Sequence, residues 1–116
     1  MKDYRQCNLW KKSRSLLFSV YKITEHFSTE QKKTIGNQLQ NYCIENLSNI
    51  VKCCNRKRNS SGKLLENSIC AIDRFEKCLK QAFGLHFLNE NDLQYLNREM
   101  GEIRMLINRS NIKSKT

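Results

Sequence analysis

The chain has 116 residues, no proline, four glycines and a formal net charge of +10. This length suits a single hydrophobic core, and the lack of proline permits long uninterrupted helices. The longest apolar run, Leu16-Leu17-Phe18, is far shorter than the roughly 20 residues that cross a bilayer, and the polar N-terminus lacks the apolar core of a secretion signal, so we expect a cytoplasmic protein.

Apolar residues at three- and four-residue spacing predict a first helix from about Arg5 or Cys7 to Phe27. The sequence Ser28-Thr29-Glu30-Gln31 then has the form of a capping box, in which a hydroxyl and an amide side chain each satisfy a free backbone donor. It predicts the start of a second helix, which ends in a polar loop over residues 55–62.

The third helix has the clearest amphipathic pattern, with apolar residues that alternate by three and four from Leu65 to Ala82. Gly84 stands where a left-handed C-terminal cap is expected. Asn89, with Asp92 three residues later, marks the start of a fourth helix.

Short connections between these four helices predict an all-α fold, an antiparallel up-down-up-down four-helix bundle. We expect one domain over residues 1–112 and a disordered basic tail over residues 113–116.

The six cysteines are too few for a disulfide scaffold, and a cytoplasmic protein keeps its thiols reduced. Cys43, Cys70 and Cys78 fall among apolar positions, where we expect each thiol to pack as a small hydrophobe.

Positive charge is concentrated at one end of the predicted bundle. The start of helix 1, the helix 2–3 junction and the end of helix 4 share that end, which holds fourteen Lys and Arg against four acids, while the other end holds seven of each. The helix macrodipole explains cations at the ends of helices 2 and 4, but not those of residues 11–14 or Lys63 near helix starts.

This distribution favours a polyanion partner, above all the phosphates of RNA or DNA, over the alternative of a merely solvated basic surface. The expected phosphate contacts are Lys11, Lys12, Arg14, Arg56, Lys57, Arg58, Lys63, Arg109 and Lys113. No base-reading motif is visible. Tyr4 and Trp10 could stack on unpaired bases, although Trp10 shares the apolar stripe of helix 1 and is better explained as a core residue.

Catalytic and metal-binding motifs are not recognisable. His26 and His86 each precede a phenylalanine, but neither lies in a zinc or HExxH spacing, which favours a structural or surface role. The vicinal Cys53-Cys54 lies near Lys52, which could lower a thiol pKa; packing at the helix end is the interpretation we favour over a thiol sensor. We therefore expect no enzymatic activity, no metal and no cofactor.

Three segments carry a resemblance to a known family: Leu9-Trp10-Lys11, Ser48-Asn49-Ile50 and Phe75-Glu76. With them the chain resembles the small bacterial four-helix-bundle proteins named after the intervening sequence of 23S ribosomal RNA genes. Members commonly have proline where this chain has Leu47, and Ala-Glu-Gly where it has Val51-Lys52-Cys53. This departure from the family pattern argues against an acidic role at Lys52.

One branch of that family is the accessory variability determinant of diversity-generating retroelements, a basic homopentamer that binds a reverse transcriptase and nucleic acid. The strong positive charge is similar to that branch, so the resemblance implies a homo-oligomer, a pentamer, that acts as an RNA-binding accessory subunit of a reverse transcriptase. The alternative is a homo-oligomeric protein-interaction module whose basic end docks an acidic protein surface without nucleic acid.

Overall fold

The structure, a computed structural model, describes residues 7–55 and 61–115, with side chains over residues 7–54 and 62–109. Most of these residues are helical. Four helices lie in these ranges: α1 (Asn8–Thr24), α2 (Thr29–Gln31, Lys32–Gly36 and Asn37–Asn55 in one run), α3 (Ser61–Gly84) and α4 (Glu90–Lys115). No strand occurs within the described ranges, so the all-α prediction is confirmed.

Helix α1 ends at Thr24, three residues before the predicted boundary. The backbone N–H of Phe27 donates to the Thr24 carbonyl at 3.0 Å, which turns the chain and returns the Phe27 ring to the core. The predicted capping box follows: Gln31 N donates to Ser28 Oγ at 3.1 Å, and Ser28 N donates to Gln31 Oε1 at 3.0 Å. Local side-chain chemistry thus fixes the start of α2.

Helix α2 contains a π-helical turn over Lys32–Gly36 that the sequence pattern did not predict. Gly36 is buried there, and a Cβ at this position would lie 3.3 Å from the Gln31 carbonyl oxygen and 3.5 Å from the Phe27 ring. The wider turn therefore lies where the Phe27 ring packs against the helix backbone.

The turn between α3 and α4 corrects one prediction. Gly84 is the last residue of α3 and has no positive φ; the left-handed residue is His86, with φ 64°. His86 N donates to the Phe83 carbonyl at 3.0 Å, and Phe87 N donates to the Ala82 carbonyl at 2.9 Å, the paired bonds of a Schellman motif. The left-handed residue lies two positions after the expected glycine, and this bonding places Phe87 against the core.

The remaining boundary signals have mixed outcomes. Asp92 N donates to Asn89 Oδ1 at 2.7 Å, which confirms Asn89 as the cap of α4. Ser61 and Gly62 belong to α3 rather than to a loop, and residues 56–60 lie outside the described residues. Helix α4 runs through Lys115, and the division into a domain over residues 1–112 and a tail over residues 113–116 stays a prediction.

Each helix contacts the next, and α4 also contacts α1. Between α1 and α2, Asn46 Nδ2 donates to Ser13 Oγ at 3.1 Å and Gln40 Nε2 donates to Thr24 Oγ1 at 2.9 Å. The residue numbers of these pairs rise along α1 and fall along α2. Between α1 and α4, Lys12 pairs with Glu99 and Ser19 hydrogen-bonds with Tyr95, so the numbers again rise along one helix and fall along the other.

The core draws on all four helices and includes five residues of the predicted apolar stripe of α3: Leu65, Ile72, Phe75, Leu79 and Ala82. Cys43 and Cys78 are buried as expected, whereas Cys70 is exposed because its side chain lies on the outer side of α3. None of the helices in the described ranges has an apolar stretch long enough to cross a membrane.

Candidate nucleic-acid interface

Two contacts show which helix ends lie together. The Phe27 and Phe87 rings pack edge to face with centroids 6.0 Å apart, which brings the α1–α2 turn to the α3–α4 turn. Toward the other ends of these two helices, the Ser13–Asn46 hydrogen bond joins the first half of α1 to the second half of α2, and Cys54 lowers the pKa of Cys7. Since only residues 56–60 separate α2 from α3, the start of α3 lies within about 20 Å of the end of α2.

Exposed cations lie toward the start of α1, the end of α2, the start of α3 and the end of α4. Lys11, Lys63 and Arg109, all predicted phosphate contacts, are exposed on α1, α3 and α4. Lys52 on α2, which was not among the predicted contacts, is exposed as well. None of these four forms an ion pair within the part of the chain that the structure describes. Each helix therefore contributes at least one positive charge that no acid among the described residues pairs with.

Lys12 differs from its neighbour Lys11 because it is held by acids of α4. Its Nζ lies 3.0 Å from Glu99 Oε2 and also pairs with Glu102 Oε2. The Glu102 carboxylate raises the pKa of Lys12 above its usual value, and Lys12 lowers the pKa of Glu102. Lys12 thus joins α1 to α4, and a phosphate would have to compete with two carboxylates for it.

Arg14 is held between aromatic rings on the exposed side of α1. Its guanidinium carbon lies 4.6 Å from the centroid of the exposed Phe18 ring and 5.7 Å from that of Trp10. Trp10 is half-buried and packs against the core, so this ring serves both the core and the cation. The arrangement presents a flat cationic group beside an open aromatic face, a surface suited to stacking on bases.

Charge pairs across the middle of the helices make the basic end smaller than the sequence count indicates. Arg104 Nη2 lies 2.9 Å from Asp73 Oδ1 and 3.1 Å from Glu76 Oε2, both on α3. The count made from the sequence assigned Asp73, Glu76 and Glu99 to the other end of the bundle, the end that holds seven cations and seven acids. Arg104 and Lys12 are therefore compensated locally.

The other predicted phosphate contacts fall outside the described residues or side chains. Arg56, Lys57 and Arg58 lie outside the described residues, two to four positions after Cys54. Lys113 belongs to α4, but its side chain is outside the described set. Their assignment to the interface stays a prediction.

An open polar groove of about 470 Å³ runs between α2 and α3 and was missed by the sequence reasoning. Asn41, Asn49 and Asn67 line it together with Lys52. Amide side chains can donate to and accept from base edges, while Lys52 is suited to a phosphate. Recurrent asparagines on facing helices are the sequence signal that could have indicated this groove.

His26 and His86 are both exposed in the two turns joined by the phenylalanine contact. Over the residues with described positions, no group of three or more His, Cys, Asp or Glu side chains is arranged to hold a metal ion. Comparison of the sequence with protein-family models and with curated proteins found no match.

Proposed function

We propose that this protein is a non-enzymatic scaffold that binds the backbone of RNA or DNA through one basic end of an up-down-up-down bundle. The observation that carries the proposal is a set of exposed cations that form no ion pair among the described residues, with every helix represented: Lys11, Lys52, Lys63 and Arg109. Phosphate binding releases condensed counterions, and several dispersed cations suit a backbone that carries a charge at every nucleotide.

The bundle arrangement is supported by the opposite order of the contacting pairs and by the two groups of helix ends. The Phe27–Phe87 contact joins two turns, and the Ser13–Asn46 contact lies toward the opposite ends of α1 and α2. Alternation of four helices in an antiparallel sense accounts for both contacts.

The resemblance to the 23S ribosomal RNA intervening-sequence family extends this proposal. By that resemblance the protein is a cytoplasmic homopentamer that serves as accessory subunit of the reverse transcriptase of a diversity-generating retroelement. An adjacent reverse transcriptase gene with a template repeat is the genomic observation expected for this role.

Charge reversal at described residues tests nucleic-acid binding. The triple variant Lys11→Glu, Lys52→Glu, Lys63→Glu is expected to lower affinity for a single-stranded RNA homopolymer by at least about tenfold in a filter-binding assay. The matched control is Lys22→Glu, Lys32→Glu, Lys33→Glu, which makes the same charge change with exposed lysines near the other end. Equal affinity of the two variants would contradict a localised interface.

A second candidate, the homo-oligomeric protein-interaction module, is favoured by an apolar strip on α1 and α2. Phe18, Tyr21 and Ile44 are exposed there, and Leu17, Leu47 and Val51 line a groove of about 380 Å³. An apolar area of this kind suits contact with a second copy of the chain.

Substitution Ile44→Asp separates the two candidates. We expect it to shift the protein toward monomer in sedimentation velocity, whereas Met105→Asp at a similarly exposed residue of α4 leaves the assembly intact. If the assembly persists in the Lys11/Lys52/Lys63 variant while RNA binding is lost, nucleic-acid binding and oligomerisation use different surfaces. If wild-type protein binds no RNA at low salt, the interaction module is the function that remains.

A further inference from the structure

The polar groove between α2 and α3 is lined by residues spaced three or four apart on each helix, so it follows one face of α2 and one face of α3. Asn41, Asn49 and Lys52 line it from α2, and Asn67 and Cys70 line it from α3. Its volume of about 470 Å³ falls within the roughly 300–1,000 Å³ of small-molecule sites. The groove therefore has room for a group of the size of a nucleotide.

The amide groups in this groove have hydrogen-bonding capacity that the described part of the chain does not use. Asn49 Nδ2 donates to the Glu45 carbonyl at 3.0 Å, which leaves Asn49 Oδ1 as an acceptor. The side chains of Asn41 and Asn67 form no hydrogen bond with any described residue. An amide offers a donor and an acceptor side by side, and the hydrogen-bonding edge of a nucleic-acid base presents the complementary pattern.

The charges along the groove favour a phosphate at the end formed by Lys52. Glu45 is the one acid among the described lining residues, and Arg74 Nη1 from α3 lies 3.8 Å from Glu45 Oε1. That acid is therefore compensated, whereas Lys52 is exposed and forms no ion pair within the described ranges. Lys63, which is also exposed, lies four residues before Asn67, about 6 Å along α3. Both lysines lie toward the same end of the groove.

We infer that this groove binds one unpaired nucleotide of a nucleic-acid strand, with the phosphate beside Lys52 and the base against Asn49 and Asn67. This site depends on the proposed nucleic-acid binding and adds the requirement for an unpaired base. In a duplex, the partner strand occupies the pairing edge of each base and stacking holds the base inside the helix, so only a single strand can place a base between α2 and α3. The cations supply affinity for any backbone, and the neutral amides supply selectivity for a single strand.

Cys70 gives a direct readout of occupancy, because its exposed thiol lines the groove. The whole chain is alkylated with N-ethylmaleimide at neutral pH, and modification of the tryptic peptide of residues 64–74 is followed by mass spectrometry. A mixed-sequence single strand of about 12 nucleotides, present at about ten times its measured Kd, should slow alkylation by about tenfold. The same strand annealed to its complement should leave the thiol accessible. Protection by an RNA strand, a DNA strand or both supports the site and identifies the sugar that it accepts.

Alanine substitution tests the amides without changing the charge. The double variant Asn49→Ala, Asn67→Ala should lower affinity for the single strand by about tenfold, leave duplex affinity unchanged, and keep the salt dependence of wild type. Asn97→Ala is the matched control, since it removes an exposed amide from α4, and it should change neither affinity. If the double variant does not fold, Asn67→Ala alone should still lower single-strand affinity, because the Asn67 side chain has no hydrogen bond to lose within the described structure.

Three results would overturn this site while leaving the basic end supported by salt-dependent binding of wild type. They are Cys70 alkylation that a bound single strand does not slow, equal protection by the duplex, and equal single-strand affinity of the asparagine variants and the Asn97→Ala control. If wild-type protein binds neither strand at low salt, the proposed function and this site fail together.

Discussion

At the residue scale, adjacent lysines of α1 have different environments. Lys11 is exposed and forms no ion pair within the described ranges, whereas Lys12 contacts Glu99 and Glu102 across the α1–α4 interface. A half-buried pair between helices is screened less than a surface pair, and two carboxylates without their cation would repel each other. Lys12 therefore contributes to packing, and Lys11 is the residue of the two that is available to a ligand.

Replacement of Lys12 by glutamine tests this difference. The pKa of Glu102 is held below its usual 4.5 and that of Lys12 above its usual 10.5, so the pair stabilises the fold between these values. Lys12→Gln should lower the thermal midpoint at pH 7, and the difference from wild type should shrink as pH falls below 4.5. Lys11→Gln is the control and should change the midpoint little. A Lys12→Gln effect of unchanged size at pH 3 would contradict the ion-pair explanation.

At the element scale, the end of α3 depends on a residue other than the expected glycine. His86 adopts the left-handed conformation, which costs a side-chain-bearing residue about 1 kcal/mol relative to glycine. Gly84 is exposed at the end of the helix, and a Cβ there would meet no atom within 4 Å. The helix end therefore carries a glycine where alanine fits and a histidine where glycine fits.

Two substitutions measure this arrangement in urea unfolding. Gly84→Ala should raise the free energy of unfolding by up to about 1 kcal/mol, because alanine favours the helix. His86→Gly should raise it by a similar amount, because glycine removes the cost of the positive φ. If Gly84 were the left-handed cap, Gly84→Ala would instead destabilise the protein. Gly62→Ala, at another helical glycine without a close neighbour, provides the comparison.

At the scale of the whole molecule, the described residues include both paired and unpaired cations. Lys12 and Arg104 pair with acids of facing helices, whereas Lys11 and Arg14, on either side of Lys12 in α1, are exposed and form no ion pair within the described ranges. Charges that are not balanced nearby produce a field that attracts polyanions. We therefore expect a polyanion to contact the unpaired cations near the start of α1 rather than Lys12 or Arg104.

The salt dependence of RNA affinity measures how many of these cations take part. Five exposed cations at this end (Lys11, Arg14, Lys52, Lys63 and Arg109) predict a slope of log affinity against log salt of about −3.5 on a single strand. A rise from about 50 to about 200 mM salt should then weaken binding by about 100-fold. The Lys11/Lys52/Lys63 charge-reversal variant should show a shallower slope. A flat wild-type response would contradict phosphate binding.

The sequence by itself determined the four helices, the capping box at Ser28, the cap at Asn89 and the buried stripe of α3, because these depend on residues within one or two helical turns. Only the tertiary structure decided which of the described cations pair with acids. Lys12 is compensated by Glu99 and Glu102 from the far end of the chain, and the pKa of Cys7 is lowered by Cys54. Electrostatic interactions depend on distance in space, and helix packing sets that distance.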